Sequence, residues 1–80
     1  MEMDTMNTDK SRPFDFLSES IGKQVLVEIK GNVQFRGVLK AFDIHMNIVL
    51  EKAEQLENNE TKKQYGNLIL RGDNVILISP

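Results

Sequence analysis

The 80-residue sequence has no cysteine and only one histidine, His45. Without thiols there is no disulfide framework and no thiolate metal site, and a lone histidine lacks the partners that metal-ligand spacing requires. No plausible nucleophile stands beside a base either. The expectation is a protein that is not an enzyme and that uses no metal or cofactor. Long apolar runs are also missing: nothing approaches the ~18 residues needed to span a bilayer. The opening stretch, Met-Glu-Met-Asp-Thr-Met-Asn-Thr-Asp-Lys, lacks the basic start and apolar core of a secretory signal. A soluble chain in the reducing cytoplasm, without membrane contact, is therefore expected.

Positive charge is scarce as well, with 10 Lys and Arg against 12 Asp and Glu, net −2. Phosphate binding normally calls for a basic surface, so this balance counts at first against a nucleic-acid partner. The acids are unevenly placed, however. Glu2, Asp4 and Asp9 stand in the opening segment, and Glu51, Glu54, Glu57 and Glu60 cluster in one later stretch; outside these two regions the chain is mildly basic. A single domain of this size removes only about 60% of its unfolded surface from water, so a lone subunit would be marginal.

Residues 1–11 are polar and aperiodic and read as a disordered acidic tail, leaving one domain over 12–80. Ser11-Arg12-Pro13 opens a short helix, with Asp15 at the positive end of its dipole, Phe14, Leu17 and Ile21 on one stripe, and Gly22 as the left-handed stop. From Gln24 to Lys30 apolar Val25, Val27 and Ile29 alternate with polar residues, as in a half-buried strand. Gly31-Asn32 suits a two-residue hairpin turn, and Val33, Phe35, Gly37 and Leu39 resume the period. The slip from Leu39 to Phe42, with a glycine at 37, predicts a bulged or bent strand that lets one sheet curl into a small open barrel. Ile48 to Ala53 form a third strand and residues 56–61 an exposed acidic loop. Two final strands, 62–71 and 75–79, are apolar on both faces around Leu68 to Leu70 and Val75 to Ile78, a pattern of strands covered on both sides. One helix cannot cover them, so a second copy of the chain is expected there. Pairing between the two strands of adjacent copies is head-to-tail and closes as a ring.

Two polar tips are wedged between these strands. Asp43, His45 and Asn47 are spaced two apart in the first, and Arg71-Gly72-Asp73-Asn74 forms the second. Together they offer acceptors, a planar amide, a flat ring and a guanidinium, a set able to hold a flat heterocycle. Taken alone, each tip has a plainer reading: Asp43 and Asn47 as turn chemistry, and Arg71 with Asp73 as a turn-stabilising ion pair. Met46, Phe35 and Phe42 suit a core, and Tyr65 has no assigned task.

The residues Gly31, Phe35, Gly37, Leu39, Phe42-Asp43, Met46-Asn47 and Leu50, followed by Ile69-Leu70-Arg71-Gly72-Asp73-Asn74-Val75, resemble the two motifs of the Sm family. The likeness is strongest to archaeal Sm-like (LSm) proteins. The first motif would occupy about 24–55, a variable segment 56–61 and the second motif about 62–79. The resemblance implies a mainly β fold: a strongly bent five-stranded antiparallel sheet, SH3-like, capped by an N-terminal α-helix. It further implies a homo-oligomeric ring, commonly of seven copies, that binds single-stranded uridine-rich RNA at its inner rim in RNA processing or metabolism. In this pattern a base stacks between His45 and Arg71, Asn47 reads the uracil edge, Asp43 orients Asn47, and Gly72 with Asp73 shapes the turn. A second RNA contact through Arg12 and Phe42 is implied on the helix face. The competing expectation is a scaffold ring acting mainly through protein partners, for which the apolar edges suffice.

Overall fold

The structure, a computed structural model, describes residues 13–80. The expected acidic tail over 1–11 and the Arg12 contact lie outside the described residues. Helix α1 spans Pro13–Ser18, and five strands follow: β1 Gln24–Ile29, β2 Val33–Phe42, β3 Ile48–Glu57, β4 Glu60–Leu70 and β5 Val75–Ser79. They form one antiparallel sheet in the order β4-β3-β2-β1-β5.

Consecutive strands β4 and β5 therefore lie at opposite edges of the sheet, joined only by Arg71 and a 3₁₀ turn over Gly72–Asn74. Four inter-strand gaps of about 4.8 Å would part the edges of a flat sheet by roughly 19 Å. A three-residue 3₁₀ turn rises only about 6 Å. The sheet must curl, and the sequence supplies the places where it does. At Gly37 a Cβ would sit 3.0 Å from the Glu51 carbonyl oxygen and 3.1 Å from the Ala53 Cα, so only a bare backbone lets β2 and β3 approach this closely. The β2–β3 register shifts between Arg36 and Val38, and again between Leu39 and Ala41, where the apolar period slips. Val25, Val27, Leu39, Ile48 and Leu50 are fully enclosed inside the bend.

Three local expectations are corrected. The helix ends at Ser18, four residues before Gly22: past it the Ser20 and Ile21 N–H groups turn back to carbonyls only three residues away, and the Gly22 N–H donates to the Leu39 carbonyl at 2.8 Å. Only Leu17 of the expected stripe is buried, while Phe14 and Ile21 stand about half exposed. The β1–β2 connection is three residues, Lys30 to Asn32, because Ile29 pairs with Val33; Gly31 and Asn32 both take left-handed φ. The acidic segment over 56–61 is not a loop. Strands β3 and β4 run through it to a two-residue turn at Asn58 and Asn59, both at positive φ, a conformation asparagine tolerates better than most residues. Near the turn, Glu54 accepts from the Arg36 Nε at 3.1 Å and from the Thr61 hydroxyl, tying β2, β3 and β4 together.

Leu70 is buried and Leu68, Val75 and Ile78 pack against the core, but Ile69, Ile76 and Leu77 are 70%, 56% and 44% exposed. Among the described residues, then, nothing covers the outer faces and free edges of β4 and β5.

Candidate functional site

The bend that brings the sheet edges together also brings the two polar tips into backbone contact. Between β2 and β3 the first tip is closed by main-chain hydrogen bonds from Met46 N–H to the Asp43 carbonyl at 2.9 Å and from Asp43 N–H to the Asn47 carbonyl at 3.2 Å. Met46 holds a left-handed φ of 62° to make this turn. The Asp43 carboxylate fills the inside of the tip: Oδ1 accepts the backbone N–H of His45 at 2.9 Å and of Asn47 at 3.0 Å, and Oδ2 accepts the Asn47 side-chain N–H at 3.0 Å. The Asn47 amide, followed by the backbone donors, holds the Asp43 carboxyl below its ordinary range. Asp43 thus serves as turn chemistry and as a side-chain anchor together.

The second tip meets the first through Gly72. Its N–H donates to Asn47 Oδ1 at 2.9 Å. A Cβ on Gly72 would stand 1.8 Å from the His45 carbonyl oxygen, 2.8 Å from the Met46 carbonyl carbon and 2.9 Å from that of His45, so no side chain fits there. The second tip is itself held by the Asn74 N–H to the Arg71 carbonyl at 3.0 Å, and by the Lys30 N–H to the Asn74 carbonyl at 2.9 Å. The β1–β2 turn therefore braces the second tip, a link for which the sequence carries no signal.

The consequence for Asn47 is an amide whose orientation is set by its partners. A donor faces Asp43 and the acceptor faces Gly72, leaving one N–H and one oxygen lone pair, side by side in a plane, free for a ligand. His45, Asn47, Arg71, Gly72 and Asp73 line an open cleft of about 470 Å³ around that amide. The Arg71 side chain, 77% exposed, rests 3.6 Å from the Asp73 carboxylate, so the plainer ion-pair reading describes this state while leaving the guanidinium face open. The structure thus gathers His45, Asn47, Arg71, Gly72 and Asp73 in one cleft, with Asp43 beneath. Phe42 is elsewhere: half-buried, it packs edge-on against Phe14 of α1, ring centres 4.9 Å apart. Met46 escapes a sequence reading as anything but core, yet its backbone carries the turn between His45 and Asn47. Among the described residues no group of three or more His, Asp or Glu is placed to hold a metal, and no helix is long and apolar enough to cross a membrane.

The model of the LSM domain matches residues 15–80. A relative in Methanococcoides burtonii that carries the name snRNP Sm-like protein is 44% identical over 70 residues, covering 88% of this chain and 97% of that one. Among solved structures, a Pyrococcus abyssii Sm protein in complex with a uridine heptamer superposes with a TM-score of 0.83 at 48% identity, over 86% of this chain and 97% of that one. A heptameric archaeal Sm protein does so with a TM-score of 0.76 at 43% identity, over 81% and 94%. The bent five-stranded sheet with its N-terminal helix, the paired tips and these relatives agree, and the chain belongs to the LSM (Sm-like) family.

Proposed function

We propose that this chain assembles with copies of itself into a ring, of seven as in the heptameric relative, and binds single-stranded uridine-rich RNA in the clefts that line the pore. The observation that carries this reading is the locked Asn47 amide, presenting one lone pair and one N–H between His45 and Arg71. A uracil edge offers N3–H beside O4, so Oδ1 takes the N3 proton while Nδ2 gives to O4. Cytosine presents acceptor and donor in the reverse order, and an amide that cannot flip rejects it once the base is stacked in place. The His45 ring and the Arg71 guanidinium are the plates on which an unstacked base lies. Gly72 sets the tip spacing, and Asp73 steadies Arg71 until a base arrives.

Stacking contributes about 1–3 kcal/mol per base, so one cleft binds weakly and a ring of linked clefts binds tightly through avidity. Repetition also answers the acidic net charge: Arg71 from each copy forms a ring of positive charge, while the carboxylates of Glu57 and Glu60 lie at the far hairpin. The role is that of a binder and not a catalyst, exercised in the cytoplasm on RNA undergoing processing or turnover. The Phe42 contact, if used, would lie on the helix side, outside this cleft. The support for ring and ligand comes from the relatives solved as a heptamer and with a uridine heptamer, and from the exposed Ile69, Ile76 and Leu77 at the free edges. Those edges also suit a scaffold that works through protein partners, and in that case Asn47→Ala would leave function intact. Native mass spectrometry with heptanucleotides separates the readings. Ring masses carrying one oligo(U) and no oligo(A) are expected; a lone-chain mass would remove the ring, and a ring that ignores oligo(U) would leave the scaffold.

A further inference from the structure

The back wall of the uridine cleft is thin. Met46 and Gly72, which place His45 and Asn47, also line a second cleft of about 400 Å³ on their other side. That cleft is mostly apolar, walled by Phe16 and Leu17 of α1 and by Ile76 and Leu77 of β5, with Ser20 also in its lining. Among the described residues no side chain fills it, and it adjoins the free edge of β5, where Ile76 is 56% exposed. Met46 sits at positive φ between the stacking ring and the reading amide, and its side chain is only partly buried.

We propose that the base site is completed by a second copy of the chain: the neighbour that covers β5 fills the apolar cleft behind Met46 and Gly72, and so fixes the tip that carries His45 and Asn47. This rests on the uridine-binding ring described above and goes beyond it, because avidity requires no change at a single site. The occupant is a second copy because the cleft continues into the unpaired β5 edge, and the chain's other unpaired edge, β4, carries an exposed apolar residue of its own, Ile69, one position before its end. An unfilled apolar void forfeits the contacts that hold its lining, and Met46 is part of the lining. Filling it restricts the tip before a base arrives, so the neighbour meets an ordering cost that a lone chain would meet on binding. The coupling is reciprocal: a base in the site must then favour the assembled ring.

A monovalent ligand separates this from avidity. Uridine 5′-monophosphate can occupy one cleft and cannot bridge two. Ile76→Asp, at a position exposed in the chain itself, puts a charge on the docking edge and is expected to give folded single chains. Their affinity for uridine monophosphate, followed by NMR, is expected to fall about tenfold or more below that of a site in the wild-type ring, within the span of measured site-to-site couplings. Equal per-site affinity would overturn the proposal. The wild-type ring gives the converse measurement without any substitution. Saturating uridine monophosphate, and not cytidine monophosphate, is expected to shift ring dissociation in urea to higher concentration; an unchanged midpoint would equally overturn it. A wild-type ring that binds no uridine monophosphate or oligo(U) at all would instead count against the uridine reading on which this stands.

Discussion

Replacing Gly72 with alanine puts a methyl carbon 1.8 Å from the His45 carbonyl oxygen, with the Met46 and His45 carbonyl carbons at 2.8 and 2.9 Å. Ordinary carbon–oxygen contact needs more than 3 Å, and the atoms in the way are backbone, which cannot rotate aside. The two tips must therefore part by over an ångström. That movement breaks the 2.9 Å hydrogen bond from the Gly72 N–H to Asn47 Oδ1. Overpacking of this kind costs about 1–3 kcal/mol, and leaving the part-buried donor and acceptor unmatched adds about 1–3 kcal/mol. The cost is steric, since Gly72 does not occupy the left-handed region. A total of about 2–6 kcal/mol corresponds to a fall in Tm of about 8 °C or more for a domain of this size. Thermal unfolding at fixed protein concentration, which a ring demands, measures it. Oligo(U) binding should fall with it, because Asn47 loses the partner that points its oxygen. A Gly72→Ala protein with wild-type Tm and wild-type affinity would refute the close contact between the tips.

Other substitutions probe separate parts of the account. Asp43→Asn keeps an acceptor for the backbone N–H groups but loses the charged anchor of the Asn47 amide, so oligo(U) should lose most of its advantage over oligo(C) in paired titrations, with lesser loss of fold. The Asp43 carboxyl is held below its ordinary value near 3.8, so its contribution is present above that value and is lost as pH falls through the lower folded value. Oligo(U) affinity should therefore show no Asp43-dependent change between about pH 5 and 8 and should decline only in strong acid; an Asp43-dependent midpoint near neutrality would contradict the anchoring. Arg36→Ala removes one partner of Glu54 while Thr61 still donates to the carboxylate, so only a small drop in Tm is expected, with RNA affinity unchanged.

Much of this fold is legible because its signals are local. The alternation of Val25, Val27 and Ile29 locates β1, and Gly37 with the slip from Leu39 to Phe42 marks the bend that the register shifts display. The boundaries escape where a turn or a contact competes with a simple rule. The helix gives way to i−3 turns after Ser18, with Gly22 already tied to Leu39 of β2, and paired asparagines at 58 and 59 turn what composition reads as an acidic loop into a tight hairpin. At the site, residue types are legible and their division of labour is not. Asp43 and Asn47 taken alone suit turn chemistry best in sequence; the Asp43 contact together with that of Gly72, 25 residues away, decides how Asn47 points. The Lys30 brace on Asn74 and the cleft behind Met46 arise from the curl of the sheet and leave no mark in any short stretch.

The central claim is that a fixed Asn47 amide reads uracil. Fluorescence anisotropy of short oligo(U), oligo(C) and oligo(A) at two salt concentrations, with wild type beside Asn47→Ala, tests it most directly. The account predicts tight oligo(U) binding that survives the higher salt, is far weaker for the other two, and disappears in the variant. Equal binding of all three, unchanged by Asn47→Ala and collapsing with salt, would mean that phosphate attraction alone holds the RNA and would contradict it.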